Sequence, residues 1–492
     1  MRLNPEFRRY MWMELSPFRV IGMPVVLGGI FLLAGIATHE SGEPAGGTDM
    51  YETLVGTAIV VAILILLFWS TRLAASALVQ EIADKTWDAQ RLSSLGPWGM
   101  TWGKLIGSTV YAWYGTFLAL LVMCVSFAMW DSISGGVART FGAEVGVVIL
   151  QSIIGLIAFG IMVQATALVA ALTAMHQREK TRRFDVSLAQ FAALVVAIVV
   201  SSMLDRYIDG PAVWYGAAVD GRWFAVVSVI VFALWAVVGV WRRMQIELQV
   251  RTLPVVWPVF VIFLAAWMAG LAWPERLTGS YRYVFPIVFG TVIIIFASYV
   301  PALFERLDPV RIRQLFASMR EGRFGGVLAG APLWLINHGV ALIAVAATTV
   351  YIVTLPKEDA AATAFNMWAS DGTTMATVAG TLIALFLFVT RDLLLLTYAY
   401  LGQTTRRAVA GWLIWLAVLY LLIPAILSGL GMFSLLPVFV PIWDVPFVDF
   451  TVPPVVWPLV HIAVVSFLLT MRWRRFSSDT IIAQPAASGQ PS

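Results

Sequence analysis

Long apolar runs alternate with short polar segments along almost the whole chain. A bilayer core about 30 Å thick calls for roughly 20 mostly apolar residues per helical crossing. Runs of that kind lie near 20–37, 53–79, 105–130, 144–175, 187–204, 223–241, 254–273, 282–304, 332–355, 375–401, 409–432 and 453–471. The pattern predicts an all-α polytopic membrane protein with about 12 transmembrane helices. The first run begins near Val20, too far inside and without a small-residue cleavage site, so it reads as a retained helix and not as a signal peptide.

Composition sharpens this reading. Of 492 residues, 60% are hydrophobic and 12% charged, about half the charged share usual in soluble domains. The net charge of +4 matters less than its distribution. The alternate connections 1–19, 80–104, 176–186, 242–253, 305–331, 402–408 and 472–492 hold 24 of the 32 Lys and Arg residues. The opposite connections hold six: Arg139, Arg206, Arg222, Arg276, Arg282 and Lys357. The positive-inside bias then places the first set, with both termini, in the cytoplasm, as expected for a bacterial cytoplasmic (inner) membrane protein. No external connection exceeds about 20 residues, which is too short for a folded domain. Cys124 is the only cysteine and lies in an apolar run, so an intrachain disulfide and cysteine-based metal sites are excluded.

An internal repeat organises the chain. Phe7-Arg8-Arg9 with Glu14-Leu15 recurs as Trp241-Arg242-Arg243 with Glu247-Leu248, and Thr181-Arg182-Arg183 recurs as Thr405-Arg406-Arg407. Trp241-Arg242-Arg243 also ends the sixth run as Trp473-Arg474-Arg475 ends the twelfth. Paired arginines flank many cytoplasmic helix ends through the positive-inside bias alone, so the shared order and the offsets of 234, 224 and 232 residues carry the reading. It gives a first six-helix unit over 1–241, a second over 242–476 and a disordered cytoplasmic tail over 477–492. With an even number of spans in each, the units are expected to be parallel repeats.

Ahead of the first run, Asn4 suits an N-cap and Pro5 the first helical position. Leu3, Phe7, Tyr10, Met11, Leu15 and Phe18 share one face, with Glu6, Arg8 and Arg9 expected elsewhere, as in a helix lying along the headgroups. After the second run comes a connection from Gln80 to Lys104 that contains Glu81, Lys85-Thr86-Trp87, Ser93-Ser94-Leu95-Gly96-Pro97-Trp98 and Gly103-Lys104. A short helix broken at Gly96-Pro97 and returned to the membrane at Gly103 makes a rigid knob.

This connection resembles the loop of type-2 ABC exporter permeases, in which an acidic residue, a Gly-Thr pair, a Leu-rich turn, a Ser-Pro-Leu-Ser-Pro-Trp-like segment and a Gly-Lys follow in order. Thr86, Ser93, Leu95, Pro97, Trp98, Gly103 and Lys104 match in register, whereas Lys85 stands for the usual glycine and Ser94 for the first proline. An ordinary amphipathic loop is the plainer alternative. The resemblance implies a fused pair of permease units that docks a separate nucleotide-binding ATPase, expected as a dimer, with ATP and Mg²⁺ held by that partner and no cofactor in this chain. Glu81, Thr86, Trp87, Leu95, Pro97, Trp98, Gly103 and Lys104 become the expected coupling residues. The equivalent loop of the second half keeps only amphipathic character, with Asp308-Pro309 as a helix start and Arg311, Leu315, Phe316 and Met319 as expected contacts. Besides the ATPase, membrane lipid is the only partner expected, and nucleic acid is not.

The family also folds an outer connection back into the membrane. Residues 433–452 are apolar yet contain Pro437, Pro441 and Pro446, which fits a re-entrant or interfacial stretch. Arg72, Arg391 and Asp392 fall inside predicted spans and are functional candidates, although a long arginine can also snorkel to the surface. His338, beside Asn337, and His461 suit interhelical hydrogen bonds. No Gly-x-x-x-x-Gly-Lys-Ser/Thr phosphate loop, His-Glu-x-x-His or Gly-x-Ser-x-Gly occurs, so an enzyme is disfavoured and ATP hydrolysis is expected elsewhere. The alternatives are an ion-coupled secondary transporter of 12 helices, in which Asp392 is the obvious intramembrane acid, and a non-transporting membrane assembly or sensor subunit.

Overall fold

The computed structural model describes residues 4–40, 48–93, 95–141, 143–176, 183–207, 210–250, 253–273, 282–305, 309–355, 375–401, 408–441 and 455–483. Among them, eleven helical stretches are long and apolar enough to cross a bilayer: Pro17–Thr38, Met50–Glu81, Val110–Ile133, Val145–Ala174, Val186–Leu204, Gly221–Glu247, Val284–Phe304, Leu333–Thr354, Val378–Tyr400, Ala408–Gly429 and Val456–Arg475. The protein is an all-α polytopic integral membrane protein. At 254–273, where a twelfth span is expected, the helix Val256–Leu271 has 16 residues. At 1.5 Å per residue it covers about 24 Å, short of the hydrocarbon thickness, because it starts only after the turn at Pro254 and ends at Ala272.

The chain divides into two compact units, Met1–Ala212 with Ala218–Thr252, and Val213–Ala217 with Leu253–Ser492. The first begins with α1 (Pro5–Glu14), where the Asn4 side chain accepts the Glu6 N–H at 3.0 Å, as a cap should. It continues through α2 (Pro17–Glu40), α3 (Thr48–Leu64), a π-helical turn (Ile65–Ser70), α4 (Thr71–Ala83), α5 (Trp87–Arg91), α6 (Pro97–Gly107), α7 (Val110–Ser134), α8 (Gly136–Phe141), α9 (Val145–His176), α10 (Arg183–Leu204) and α11 (Gly221–Glu247). Lipid tails are as apolar as leucine, so helices in a membrane adhere mainly by close packing of small residues and by polar bonds. Accordingly Ala75, Ala167, Ala171, Ala189 and Ala193 form the seam of α4, α9 and α10. The π turn frees carbonyls that side chains then recover: Ser70 donates to Leu66, Thr71 to Leu67, and Gln190 Nε2 to Phe68 at 2.8 Å.

The second unit contains α12 (Val256–Leu271), α13 (Val284–Phe296), α14 (Tyr299–Phe304), α15 (Pro309–Arg320), α16 (Phe324–Gly330), α17 (Leu333–Thr354), α18 (Met375–Tyr400), α19 (Ala408–Ala417), a π-helical turn (Val418–Leu422), α20 (Ile423–Gly429), α21 (Leu436–Phe439) and α22 (Val456–Ala483). The second π turn precedes Pro424, which has no N–H to continue the helical ladder. Of the spans, α18 is the most enclosed. Polar bonds tie its neighbours: Thr291 to Thr348 at 2.8 Å, Asn337 Nδ2 to Ser298 at 2.9 Å and to the Ile294 carbonyl at 3.1 Å, and His338 Nε2 to Thr390 at 2.8 Å. Thr390 already donates its hydroxyl hydrogen to the Phe386 carbonyl, so His338 is the donor, from Nε2.

The strands among the described residues are a short hairpin, Ala212–Trp214 and Ala217–Val219. Its tip has Tyr215 at φ 50° and Gly216 at φ 79°, the left-handed pair that a two-residue hairpin loop requires. From this tip Trp214 Nε1 donates to the Trp267 carbonyl at 3.2 Å, the Tyr215 hydroxyl to Ala266 at 2.6 Å and the Tyr215 N–H to Gly270 at 3.1 Å. A Cβ at Gly270 would lie 2.1 Å from Trp214 Nε1, so only glycine admits the indole there. In the expected re-entrant stretch, a tight turn at Phe433–Leu435 leads into α21, where Leu436 and Pro437 are buried. Residues 442–452 of that stretch lie outside the described residues, as does the tail beyond Ala483.

Candidate functional site

In the first unit the connection 80–104 closes on the N-terminal helix. Near its start α4 ends in a left-handed residue: Lys85 takes φ 58°, and the Thr86 N–H reaches back to the Glu81 carbonyl at 2.9 Å, the closure of a Schellman cap. Glycine is favoured at such a position. Thr86 Oγ1 adds a second bond to the same carbonyl at 3.1 Å. The chain then turns through α5, with Trp87 buried, and re-enters at Pro97, the first residue of α6.

The base of this loop is a buried ionic cluster. Lys104 Nζ, on α6, bonds Glu6 Oε1 at 3.1 Å, Gln90 Oε1 at 2.9 Å and Glu81 Oε2. Arg9 bonds Glu6 at 2.8 Å and also Glu81, and the Tyr10 hydroxyl donates to Glu81 Oε1 at 2.8 Å. Glu6, Tyr10, Glu81 and Lys104 are all buried. Two carboxylates face two cations, Lys104 buried and Arg9 partly exposed at the rim, so the charges of the cluster balance, the condition under which such a cluster is tolerated. Burial first, and then the Glu81 charge, push the Tyr10 phenol above its usual range, which holds it protonated as a donor. Lys104 also lies 5.2 Å from the centre of the Trp87 ring. Glu6 therefore faces inward, against the sequence expectation, because Lys104 awaits it.

Glycines set the approach of α1 to α6. A Cβ at Gly103 would stand 2.6 Å from Glu6 Cβ, and one at Gly107 would stand 3.0 Å from the Tyr10 ring. Asn4 Nδ2 completes the seam by donating to the Gly99 carbonyl at 2.6 Å. The loop and α1 are thus one body, and what the loop presents outward is its tip: Leu92 is 89% exposed, with Ser93 beside it. Trp98 is half-exposed and packs edge-on against Trp102 and Trp241. Leu95 is half-buried, and Ser94 lies outside the described residues.

The helix that carries the other expected contact residues, α15 of the second unit, is held differently. Arg311 donates to Glu305 at 2.7 Å and to the Gly330 and Ala331 carbonyls at 2.9 and 3.1 Å. Glu305 in turn accepts the Leu333 N–H at 2.5 Å, at the first turn of α17. Arg311 is therefore a clamp on its own unit. Leu315 is buried, Phe316 and Met319 are exposed, and Asp308 lies outside the described residues.

Inside the membrane, Arg391 and Asp392 are both buried. Neighbours on a helix do not normally face each other, yet the long arginine bends back, with Nε donating to Asp392 Oδ1 at 2.9 Å. Asp392 Oδ2 accepts from Tyr299 at 2.6 Å and from Tyr420 at 2.7 Å. Trp412 Nε1 donates to the Asp392 carbonyl at 2.8 Å, and Arg391 Nη1 lies 3.3 Å from His461 Nδ1. Four helical segments thus converge on one dipeptide of α18. Arg72 is exposed on α4.

No family model matches the chain, and no curated protein or solved structure matches it. Geometry therefore carries the functional argument. Sequence reasoning found Glu81, Trp87, Gly103 and Lys104, which the structure brings together, but missed Glu6, Arg9, Tyr10 and Gln90. One signal was present: Glu6 and Tyr10 are four residues apart and share a helix face. Tyr299 and Tyr420 carried no comparable mark.

Proposed function

We propose that this protein is the membrane-spanning permease of an ATP-driven exporter of the ABC type. The loop 80–104 would dock a separate nucleotide-binding ATPase that holds ATP and Mg²⁺, and this chain would supply the path and no catalytic site. The reading includes a bacterial cytoplasmic membrane with both termini in the cytoplasm, where the basic connections would face. The observation that carries it is the closure of the loop's base by the Glu6, Arg9, Glu81, Gln90 and Lys104 cluster. A knob fixed in this way moves with α1 and can pass a displacement on to the first span. A loop that merely joined two helices would need no such clamp.

A second observation bears on the secondary-transport alternative. A carboxylate that carries protons must be free to lose its partners, whereas Asp392 has donors on both oxygens and a guanidinium beside it. It suits a structural hub.

The test is affinity purification of the tagged full-length chain from its own cells. An ATPase should co-purify, the chain separated from it should hydrolyse no ATP, and Leu92→Glu at the exposed tip should remove the ATPase without lowering thermal stability. Recovery of the same ATPase with Leu92→Glu and with Trp98→Ala would overturn the reading.

A further inference from the structure

The short helices of the two expected coupling loops differ in charge and in setting. Residues 80–104 balance Glu81, Asp84 and Asp88 against Lys85, Arg91 and Lys104. Residues 305–331 set Arg306, Arg311, Arg313, Arg320 and Arg323 against Glu305, Asp308 and Glu321, an excess of two positive charges. Within α15 the side chains sort by direction. Leu315 and Arg311 turn inward; Phe316 and Met319 stand exposed on the adjoining strip; Arg313 and Arg320 follow on the next. Phe324, which opens α16, is 85% exposed.

The level of this helix is fixed by Trp473. That residue lies at the end of the span Val456–Arg475, where tryptophan marks the boundary between hydrocarbon and headgroups. The Phe316 ring meets Trp473 at 6.5 Å between centroids, edge to face, and the Arg313 guanidinium lies 6.0 Å from its ring. A helix touching the boundary residue of a span lies at the boundary itself. Apolar side chains beside cationic ones at that depth are the requirements of an interfacial helix.

We infer that α15 and the start of α16 form a docking surface for the anionic headgroup layer of the bilayer in which the second unit sits. Phe316, Met319 and Phe324 enter the acyl boundary, and Arg313 and Arg320 meet lipid phosphates. The commitment to lipid rests on charge complementarity and on the contact with Trp473, and it does not depend on the exporter reading. Under this inference the expected second coupling loop is a lipid-contacting surface.

The full-length chain with Cys124→Ser and Met319→Cys, labelled with a small fluorophore and placed in nanodiscs with brominated lipid, tests this. The label should be quenched by brominated lipid and shielded from aqueous iodide, and more so with phosphatidylglycerol than with phosphatidylcholine alone. Arg313→Gln and Arg320→Gln should each weaken that anionic preference by about five-fold, the factor for one basic side chain at a charged surface, while Arg320→Lys retains it. Quenching by iodide in both lipid compositions would overturn the inference. So would shielding that requires an added protein partner.

Discussion

Lys104 Nζ lies 3.1 Å from Glu6 Oε1 although 98 residues separate the two in the chain. The pair fastens an N-terminal helix to a loop between the second and third spans, and both partners are out of water. Removing one member of a buried pair strands the other, at a cost of about 3–5 kcal/mol. Lys104→Met should therefore lower the apparent melting temperature strongly, and adding Glu81→Gln should restore part of the loss. Thermal unfolding of the detergent-solubilised variants checks both steps, and equal melting of the single and double variants would contradict the balanced-charge account.

Tyr10 adds an alkaline limit. Its phenol is pushed up in the folded protein, while the unfolded chain releases that proton near the ordinary value of about 10. The associated stability is complete below that value and declines as the pH rises above it. Tyr10→Phe should cost about 1 kcal/mol at neutral pH and should flatten the decline above pH ~10 relative to the parent. Paired melting curves across alkaline pH measure the difference.

Two glycines should separate approach from flexibility. Gly103→Ala places a Cβ against the Glu6 stem, whereas Gly99→Ala meets nothing closer than 3.8 Å. The first should detach α1 and speed amide exchange over residues 5–14, and the second should leave exchange there unchanged. Hydrogen exchange by mass spectrometry distinguishes them.

Lys85 offers a gain. A residue with a side chain at φ 58° carries strain of about 1 kcal/mol that glycine lacks. Lys85→Gly should raise stability slightly or leave it level, whereas Lys85→Val should lower it. A marked loss of thermal stability in Lys85→Gly would show that the lysine side chain itself is needed.

At the buried dipeptide, Asp392→Asn keeps the shape but leaves Arg391 without a counter-charge, and it should destabilise by several kcal/mol. Tyr420→Phe removes one of the donors and should cost about 1–3 kcal/mol. If Asp392 were a proton carrier, Asp392→Asn would instead fold normally and lose only pH-driven uptake. Melting curves and proton-flux measurements in proteoliposomes, made side by side, separate the two outcomes.

Most of the fold was legible because a membrane span is a local property: some 20 apolar residues announce a crossing without knowledge of any neighbour. The Asn4 cap was legible for the same reason, whereas Pro97, expected to break a helix, is the first residue of α6. Glu6 was not legible, since its inward turn depends on a lysine from another helix. Tyr299 and Tyr420 sit in spans where an aromatic residue is unremarkable, and only the folded chain aims both at Asp392. Arg311 had the look of a surface contact because sequence shows its charge and hides Glu305 across a turn. Residue types that serve lipid, packing and polar bonding alike leave no periodic trace of which role they play.

The hairpin tip has a consequence for how this protein can be made. Val213–Ala217 precede the division at Thr252 by a full span, yet they belong to the second compact unit, and their tip bonds the carbonyls of α12. A gene split at that division would deliver a second polypeptide missing part of its own architecture, while the first carried the missing piece. Covalent continuity here is a term of assembly, and a ribosome that stopped at residue 252 would have already synthesised the segment that the later helices need.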